Sequence, residues 1–229
     1  RSSIVASFIR VASKGMLVKV KAFKRFLRVG ILESTEWIGT FLVVVIIDID
    51  IGLLAGIIIS VLALYIKGLK SYSSMLGQVP DTDIYVDLKT HKNVMEFEHI
   101  KVFRHHGSIN FATCSSFKKN LFKKIGVNTR IIRRASLCES SSEARNFKAP
   151  IKSLIIDLGC VGHIDMSGYR TFIEIRNEMK LLDIKTFLAH ASDPVYDSIK
   201  KAAKIGEPSF EMFSTVHDAV LFAQSKMES

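Results

Sequence analysis

One apolar stretch decides what kind of protein this chain is: residues 37–66 read WIGTFLVVVIIDIDIGLLAGIIISVLALYI. They include no lysine or arginine, and their only charged side chains are those of Asp48 and Asp50. A run of about 18 or more apolar residues is a candidate membrane segment, whereas a buried helix of a soluble domain seldom needs more than about 14. The stretch therefore predicts a membrane element.

This stretch is longer than one straight crossing requires. At about 1.5 Å per residue it would form a helix of about 45 Å, whereas the hydrocarbon layer is about 30 Å thick. Asp48, Asp50 and Gly52 interrupt it near the middle, and carboxylates facing lipid would cost a few kcal/mol each. We therefore predict a terminal transmembrane hairpin over residues 37–67 with these three residues in its turn. Gating or ion pairing is the alternative role for the two carboxylates.

Positive charges flank the stretch on both sides. Lysines and arginines are frequent in residues 1–36, and Lys67 and Lys70 follow the run. Positive residues mark cytoplasmic loops, so a hairpin would leave both flanks in the cytosol. One long tilted span is the alternative, and it would place everything after Lys67 outside the cell. Residues 1–36 are predicted to hold the end of a preceding membrane helix and a basic interfacial segment.

Composition excludes several function classes. The net charge of +10 is concentrated in residues 1–36 and in Lys118–Arg134. Attraction to anionic lipids explains the first cluster, and neither cluster accompanies a nucleic-acid-binding motif, so nucleic acid is not a predicted partner. The cysteines, Cys114, Cys138 and Cys160, lack paired or metal-ligand spacing, which indicates neither disulfides nor a zinc site. Cys114 and Cys160 are predicted to be buried small hydrophobes.

The remaining chain predicts an α/β domain. Residues 68–99 are predicted to be a linker leading into it, because Ser71–Asp83 is polar and rich in turn residues. From residue 100 to 229, apolar runs alternate with helical patterns, which indicates a mixed sheet flanked by helices. The predicted strands are 101–104, 108–111, 151–158, 184–189 and 210–213, and the predicted helices are 115–125, 168–182, 194–204 and about 215–227. The serine-rich residues 127–149 are predicted to be a mobile insertion.

Three motifs carry a family resemblance: DIDIGLLAG at 48–56, LGQVPDTDIY at 76–85 and HIDMSGYRTF at 163–172. Together they resemble the SulP family of anion transporters, the sulfate-permease and prestin-type carriers. The α/β part resembles their cytosolic STAS domain, which bacterial anti-sigma-factor antagonists share. The resemblance implies that the chain is the C-terminal piece of a longer polypeptide. It also implies that the anion site lies upstream, so no substrate-binding residue is assigned here.

The implied function is that of a secondary active anion exchanger for sulfate, chloride, bicarbonate or oxalate, in the plasma membrane. The resemblance also implies that the STAS domain serves regulation, homodimer contacts and the docking of regulatory proteins. A membrane-anchored STAS signalling module without transport activity is the alternative. No catalytic residue, metal or cofactor is predicted, because His163 and Asp165 lack a third member of a catalytic set.

Two serines are candidate phosphorylation sites. Ser136 follows Arg133 and Arg134, a pattern that basophilic kinases recognise, and phosphate there would add negative charge beside these arginines. Ser167 lies in Asp165–Gly168, where a helix is predicted to start directly after a strand. A phosphorylated serine occupies this position in the anti-sigma-factor antagonists that STAS domains resemble, and a helix N-terminus favours phosphate.

Helix capping by Asp165 or Ser167 is the simpler role of this motif, and Gly168 would then allow close approach of helix and strand. Adjacent histidines, His105 and His106, fall on a predicted strand. Their side chains must point to opposite faces and cannot share a metal ion.

Overall fold

The computed structural model describes residues 38, 39, 42, 49–69, 71–91, 93–127, 151–206 and 208–228. The chain divides into two compact units, Arg1–Gly68 and Leu69–Ser229. Each unit is described separately below.

The first unit contains helix α1, Ile49–Leu69. Its large apolar side chains are mostly exposed, with Leu53 at 67% and Leu64 at 70%. Within the described ranges, no helix combines the length and the apolar character that a membrane crossing requires.

Two of the three residues predicted for the hairpin turn lie at the start of a described helix. Asp50 and Gly52 lie in the first turns of α1, and Asp48 lies outside the described residues. An aspartate in the first turn favours a helix because its charge complements the positive end of the dipole, and one glycine costs a helix only about 1 kcal/mol. The transmembrane hairpin predicted over residues 37–67 is not among the described elements.

Gly39 and Ile59 are nevertheless neighbours within this unit. A Cβ atom built on Gly39 would lie 3.5 Å from Cδ1 of Ile59. A straight helix would separate these positions by about 30 Å. Gly39 and Ile59 are therefore much closer together than two positions twenty residues apart on one straight helix.

The second unit is an α/β domain with a mixed sheet. Its strands in the described residues are β1 Tyr72–Gln78, β2 Tyr85–Asp87, β3 Ile100–His106, β4 Ser153–Asp157, β5 Lys185–Ala189 and β6 Met212–Phe213. Their order is β2-β1-β3-β4-β5-β6. β1 is antiparallel to both of its neighbours, whereas β3, β4, β5 and β6 run parallel.

Helices cover both faces of this sheet. They are α2 Cys114–Ile125, α3 Met166–Lys180, α4 Asp193–Lys204 and α5 Val216–Glu228. Side chains of α2, α3 and α4 share one buried cluster, and those of α5 share a second. β4 contributes Leu154 and Ile156 to the first cluster and Ile155 to the second. Every residue of β4 is buried, as its continuous apolar run predicted.

Local signals placed several helix ends correctly. α2 ends at Gly126, whose φ of 74° is the left-handed conformation that glycine adopts at low cost. Pro194 lies in the first turn of α4, where its missing N–H removes no helical hydrogen bond.

Three predictions about this unit are wrong. Residues 68–99 contribute β1 and β2 to the sheet and are not a linker, because the polar side chains of β1 find partners inside the domain. Residues 108–111 are not a strand: Gly107, with φ of 125°, ends β3, and only an isolated bridge joins Ile109 to Ile164. Neither predicted cysteine is buried: Cys160, in the turn after β4, is exposed, and Cys114, the first residue of α2, is half-buried.

Candidate functional site

The start of α3 is held by the carboxylate of Asp165. Oδ1 of Asp165 accepts a hydrogen bond of 2.7 Å from the N–H of Gly168, which caps the helix. Oδ2 accepts a second bond of 3.0 Å from the N–H of Phe111 in the loop between β3 and α2. One side chain therefore fixes both the first turn of α3 and the neighbouring loop.

Gly168 lets this turn lie directly against Ile109. A Cβ atom at position 168 would overlap the carbonyl oxygen of Ile109 and lie 3.0 Å from its Cγ2. Ile109 is fully buried, and its carbonyl accepts the N–H of Asp165 at 3.2 Å. The close approach that the sequence motif indicated is therefore made to residue 109.

Ser167 is the second residue of α3 and is half-buried. Its carbonyl oxygen accepts a hydrogen bond of 2.9 Å from Thr171 Oγ1. A cavity of about 200 Å³ lies next to this turn, and its polar lining comes from Asp165, Tyr169, Ser198 and Lys201. Both carboxylate oxygens of Asp165 accept backbone N–H groups. Lys201 is the one cation in the lining of this described cavity.

The sequence did not single out a buried ion pair at the end of β4. Asp157 is fully buried, and its Oδ2 accepts a hydrogen bond of 2.6 Å from Nε of Arg104. Its Oδ1 accepts the N–H of Gly159 at 2.9 Å and lies 3.5 Å from Nδ1 of His190. The carboxylate can be buried in this way because Arg104 and the N–H of Gly159 both donate to it. The arrangement joins the ends of β3, β4 and β5.

The motif at 76–85 forms a closed polar turn between β1 and β2. Gln78 Nε2 donates to the carbonyl of Thr82 at 2.7 Å, and Thr82 Oγ1 donates to the carbonyl of Val79 at 3.0 Å. Asp81 adopts φ of 59°, a conformation that aspartate tolerates better than most residues. These bonds fix the direction in which the following residues leave the turn.

Asp83 and Tyr85 then meet His217 of α5. Nε2 of His217 lies 3.3 Å from Asp83 Oδ1, and Nδ1 lies 3.3 Å from the hydroxyl of Tyr85. Burial and the charge of Asp83 raise the pKa of Tyr85 to about 12. The three side chains connect the edge of the sheet to the last helix, and none of them faces a described cavity that could hold a substrate.

His105 and His106 do point away from each other, as their positions on β3 predicted. His105 is fully buried, 3.0 Å from Ser73 Oγ, whereas His106 is half-buried beside Tyr72. Burial, helped by the neighbouring His106, lowers the pKa of His105 to about 4. No cluster of metal-ligating side chains occurs among the residues that the structure describes.

Several predicted site residues cannot be placed. Asp48, Arg133, Arg134, Ser136 and Cys138 lie outside the described residues, as does the predicted insertion apart from its first residue. The structure brings Asp165, Ser167 and Gly168 together, and it places Asp50 and Gly52 in the other unit.

Comparison with known proteins gives consistent matches. The STAS domain family matches residues 85–219. The chain is 24% identical over 250 residues to sulfate anion transporter 1 of Mus musculus. This match covers 98% of this chain and 36% of that protein. It is 24% identical over 277 residues to prestin of Homo sapiens, covering 97% and 37% respectively. The chain thus spans about a third of the length of these curated relatives.

Solved structures share the fold. The overall structure of SLC26A9 matches with a TM-score of 0.77 and 24% identity, over 94% of this chain and 34% of that one. The murine Slc26a9 anion transporter in its inward-facing state matches with a TM-score of 0.72 and 23% identity, over 88% and 30%.

Proposed function

Because this chain belongs to the SulP family of anion transporters and carries their STAS domain, we propose that it forms the C-terminal part of a secondary active anion exchanger. The observation that carries the proposal is the direct succession of an apolar helix and a STAS domain. α1 ends at Leu69, and β1 begins at Tyr72. The match covers 36% of the length of sulfate anion transporter 1, which supports a translocating part outside this chain.

In this proposal, residues 37–67 lie in the membrane as a hairpin that includes most of α1, and the STAS domain lies in the cytosol. The exposed leucines and isoleucines of α1 support the first point, since water would penalise such a surface and lipid would not. The proximity of Gly39 and Ile59 supports a chain that returns to the side from which it entered. Protease added outside intact cells should leave the STAS domain uncut and should digest it once the cells are made permeable. Digestion of the domain in intact cells would contradict this arrangement.

Sulfate is the first anion to test, because several matched relatives are named as sulfate transporters. Chloride, bicarbonate and oxalate are the further substrates that we propose. The full-length protein in proteoliposomes should take up labelled sulfate faster when the lumen is loaded with an exchangeable anion. The present chain alone should give no flux above empty liposomes.

The controls separate the candidate functions. Flux through the present chain alone would contradict an upstream anion site. Membrane insertion of the full-length protein without flux of any of the four anions would contradict the exchanger. It would favour the membrane-anchored signalling module.

We further propose that the STAS domain forms homodimer contacts and docks regulatory proteins, and that anionic lipids bind the basic residues 1–36. Phosphorylation of Ser136, recognised through Arg133 and Arg134, would modify this regulation by adding negative charge to a basic segment. Phosphopeptide mapping after treatment with a basophilic kinase tests it, with Ser167 as the comparison site. An unmodified Ser136 would contradict the proposal.

A further inference from the structure

Phe111 carries the most exposed large apolar side chain among the described residues, at 82%. The loop around it is nevertheless fixed on both sides. Its N–H donates to Oδ2 of Asp165 at 3.0 Å, and its carbonyl oxygen accepts a bond of 3.3 Å from Sγ of Cys114. The side-chain oxygen of Asn110 accepts the N–H of Ala112 at 3.1 Å. An aromatic ring on such a loop is available to a partner without the entropy cost of ordering the loop.

The cavity beside the first turn of α3 adds a second apolar feature. Asp165, which holds the loop of Phe111, is also in the lining of this cavity. The apolar lining comes from Ile164, Met166, Ala202 and Ile205. Met166 and Ile205 are open to water, with exposed fractions of 38% and 73%. The volume of about 200 Å³ suffices for one large apolar side chain, since a cavity of about 150 Å³ admits benzene.

The charge around this cavity indicates which kind of partner it fits. Lys201 is the one cation in the described lining, and no described carboxylate lies within ion-pair distance of it. The carboxylate of Asp165 is directed at two backbone N–H groups. Residues 198–204 of α4 contain three lysines and no acidic residue. Charge complementarity therefore favours an acidic partner.

We propose that Phe111, Met166, Ile205 and Lys201 form a docking surface for an acidic, apolar segment of a regulatory protein. The inference rests on the regulatory docking proposed above for the STAS domain, and it names the surface and the chemistry of the partner. An apolar side chain of the partner enters the cavity, its neighbours pack against the ring of Phe111, and a carboxylate pairs with Lys201. Aromatic anchors of this kind carry much of the binding energy of protein interfaces.

Selection from a peptide library tests the charge of the partner. The probe is a phage-displayed library of short random peptides, and the target is the full chain in detergent. We expect the bound peptides to be enriched in acidic and large apolar residues relative to the library. On Lys201→Glu the acidic residues should be replaced by lysine and arginine. Lys185→Glu makes the same change of charge at an exposed position of β5 and should keep the acidic preference.

Two selection results would overturn the proposal. One is a set of bound peptides without an acidic preference. The other is the same preference on both variants, which would show that the peptides respond to the net charge of the chain and not to Lys201.

Affinity measurements then locate the site. Phe111→Ser should weaken binding of a selected peptide at least about tenfold, because truncation of a central aromatic anchor has effects of this size. Leu221→Ser, at a position of α5 that is 50% exposed, should leave the affinity unchanged. Both variants should keep the Tm of the wild type, since both side chains are exposed. Equal affinities of the two variants would refute this surface.

Photo-cross-linking in cells identifies the occupant. The photoreactive residue p-benzoylphenylalanine replaces Phe111 in the full-length protein, and mass spectrometry identifies the peptide joined to it. We expect an acidic, apolar segment of another protein, with a lower yield when Lys201→Glu is added. Cross-links to a second copy of this chain, or to another segment of the same molecule, would assign the surface to those contacts and refute the proposal. The absence of any cross-link would also refute it.

Failure of this inference is distinguishable from failure of the proposed function. Sulfate exchange by the full-length protein in proteoliposomes needs no docked partner. Exchange without selective peptide binding would contradict the docking surface alone. Selective peptide binding without exchange of any tested anion would contradict the exchanger alone. Peptide binding that Phe111→Ser and Lys201→Glu leave intact would place regulatory docking elsewhere on the domain and refute this surface.

Discussion

Replacing Gly168 by alanine should destabilise the STAS domain, even though alanine is the better helix former. The added methyl group would overlap the carbonyl oxygen of Ile109 and lie 3.0 Å from Cγ2 of the same residue. Overpacking of this kind costs about 1–3 kcal/mol, and the backbone oxygen cannot move without weakening its 3.2 Å bond from the Asp165 N–H. The gain in helix propensity is about 1 kcal/mol. Because the overlap, at 2.4 Å, is with a backbone oxygen, the cost lies near the upper end of that range, and we expect a net loss of about 2 kcal/mol.

Thermal unfolding of the chain in detergent, followed by far-ultraviolet circular dichroism, measures this loss. For a domain of this size, about 2 kcal/mol corresponds to a fall in Tm of about 4–8 °C. Gly162→Ala is the matched control, because a Cβ atom there meets nothing within 4 Å. If Gly168→Ala unfolds within about 0.5 kcal/mol of wild type, the close approach of α3 to Ile109 does not explain the glycine.

Three further predictions concern buried polar groups. Asp157→Ala should lower the free energy of unfolding by about 2–4 kcal/mol, because it leaves Arg104 half-buried without a counter-charge. Asp197→Ala, at an exposed position, should change it by less than about 0.5 kcal/mol, and urea unfolding measures both. The pKa of His105 is lowered to about 4, so the unfolded chain binds a proton that the folded chain does not as the pH falls from about 6.5 towards 4. Stability should fall by up to about 3 kcal/mol across that window, and His105→Gln should remove this dependence while His91→Gln, at an exposed position, should not. Tyr85→Phe should cost about 1 kcal/mol by removing the bond to the imidazole of α5, and an unchanged midpoint in urea would show that this bond contributes nothing.

Sequence reasoning succeeded where the structural cause is local. The continuous apolar run at 151–158 identified the strand buried on both faces, and Gly126 and Pro194 marked helix ends through their own backbone conformations. The start of α3 was also visible, because a capping aspartate and its partner N–H are three residues apart.

It failed where a distant residue supplies the explanation. The polar residues of β1, such as Ser73, were interpreted as a connector, because the side-chain partner of Ser73, His105, lies 32 residues later in the chain. Arg104 and Asp157 are 53 residues apart, and nothing in either local sequence predicts that they pair at the same level of two adjacent strands. The sequence did not show where α1 begins, because Asp50 and Gly52 fit the first turns of a helix as well as they fit a loop.

The position of β1 determines how mechanical load enters the STAS domain. Tension applied at Tyr72 along the strand acts on β1, which pairs with β3 over Tyr72–Leu76 and with β2 over Leu76–Gln78. A strand held in this way resists extraction because two ladders must shear together, whereas an edge strand can be peeled away one bond at a time. Extension of the chain at Tyr72 is thus resisted by the sheet through both neighbours of β1.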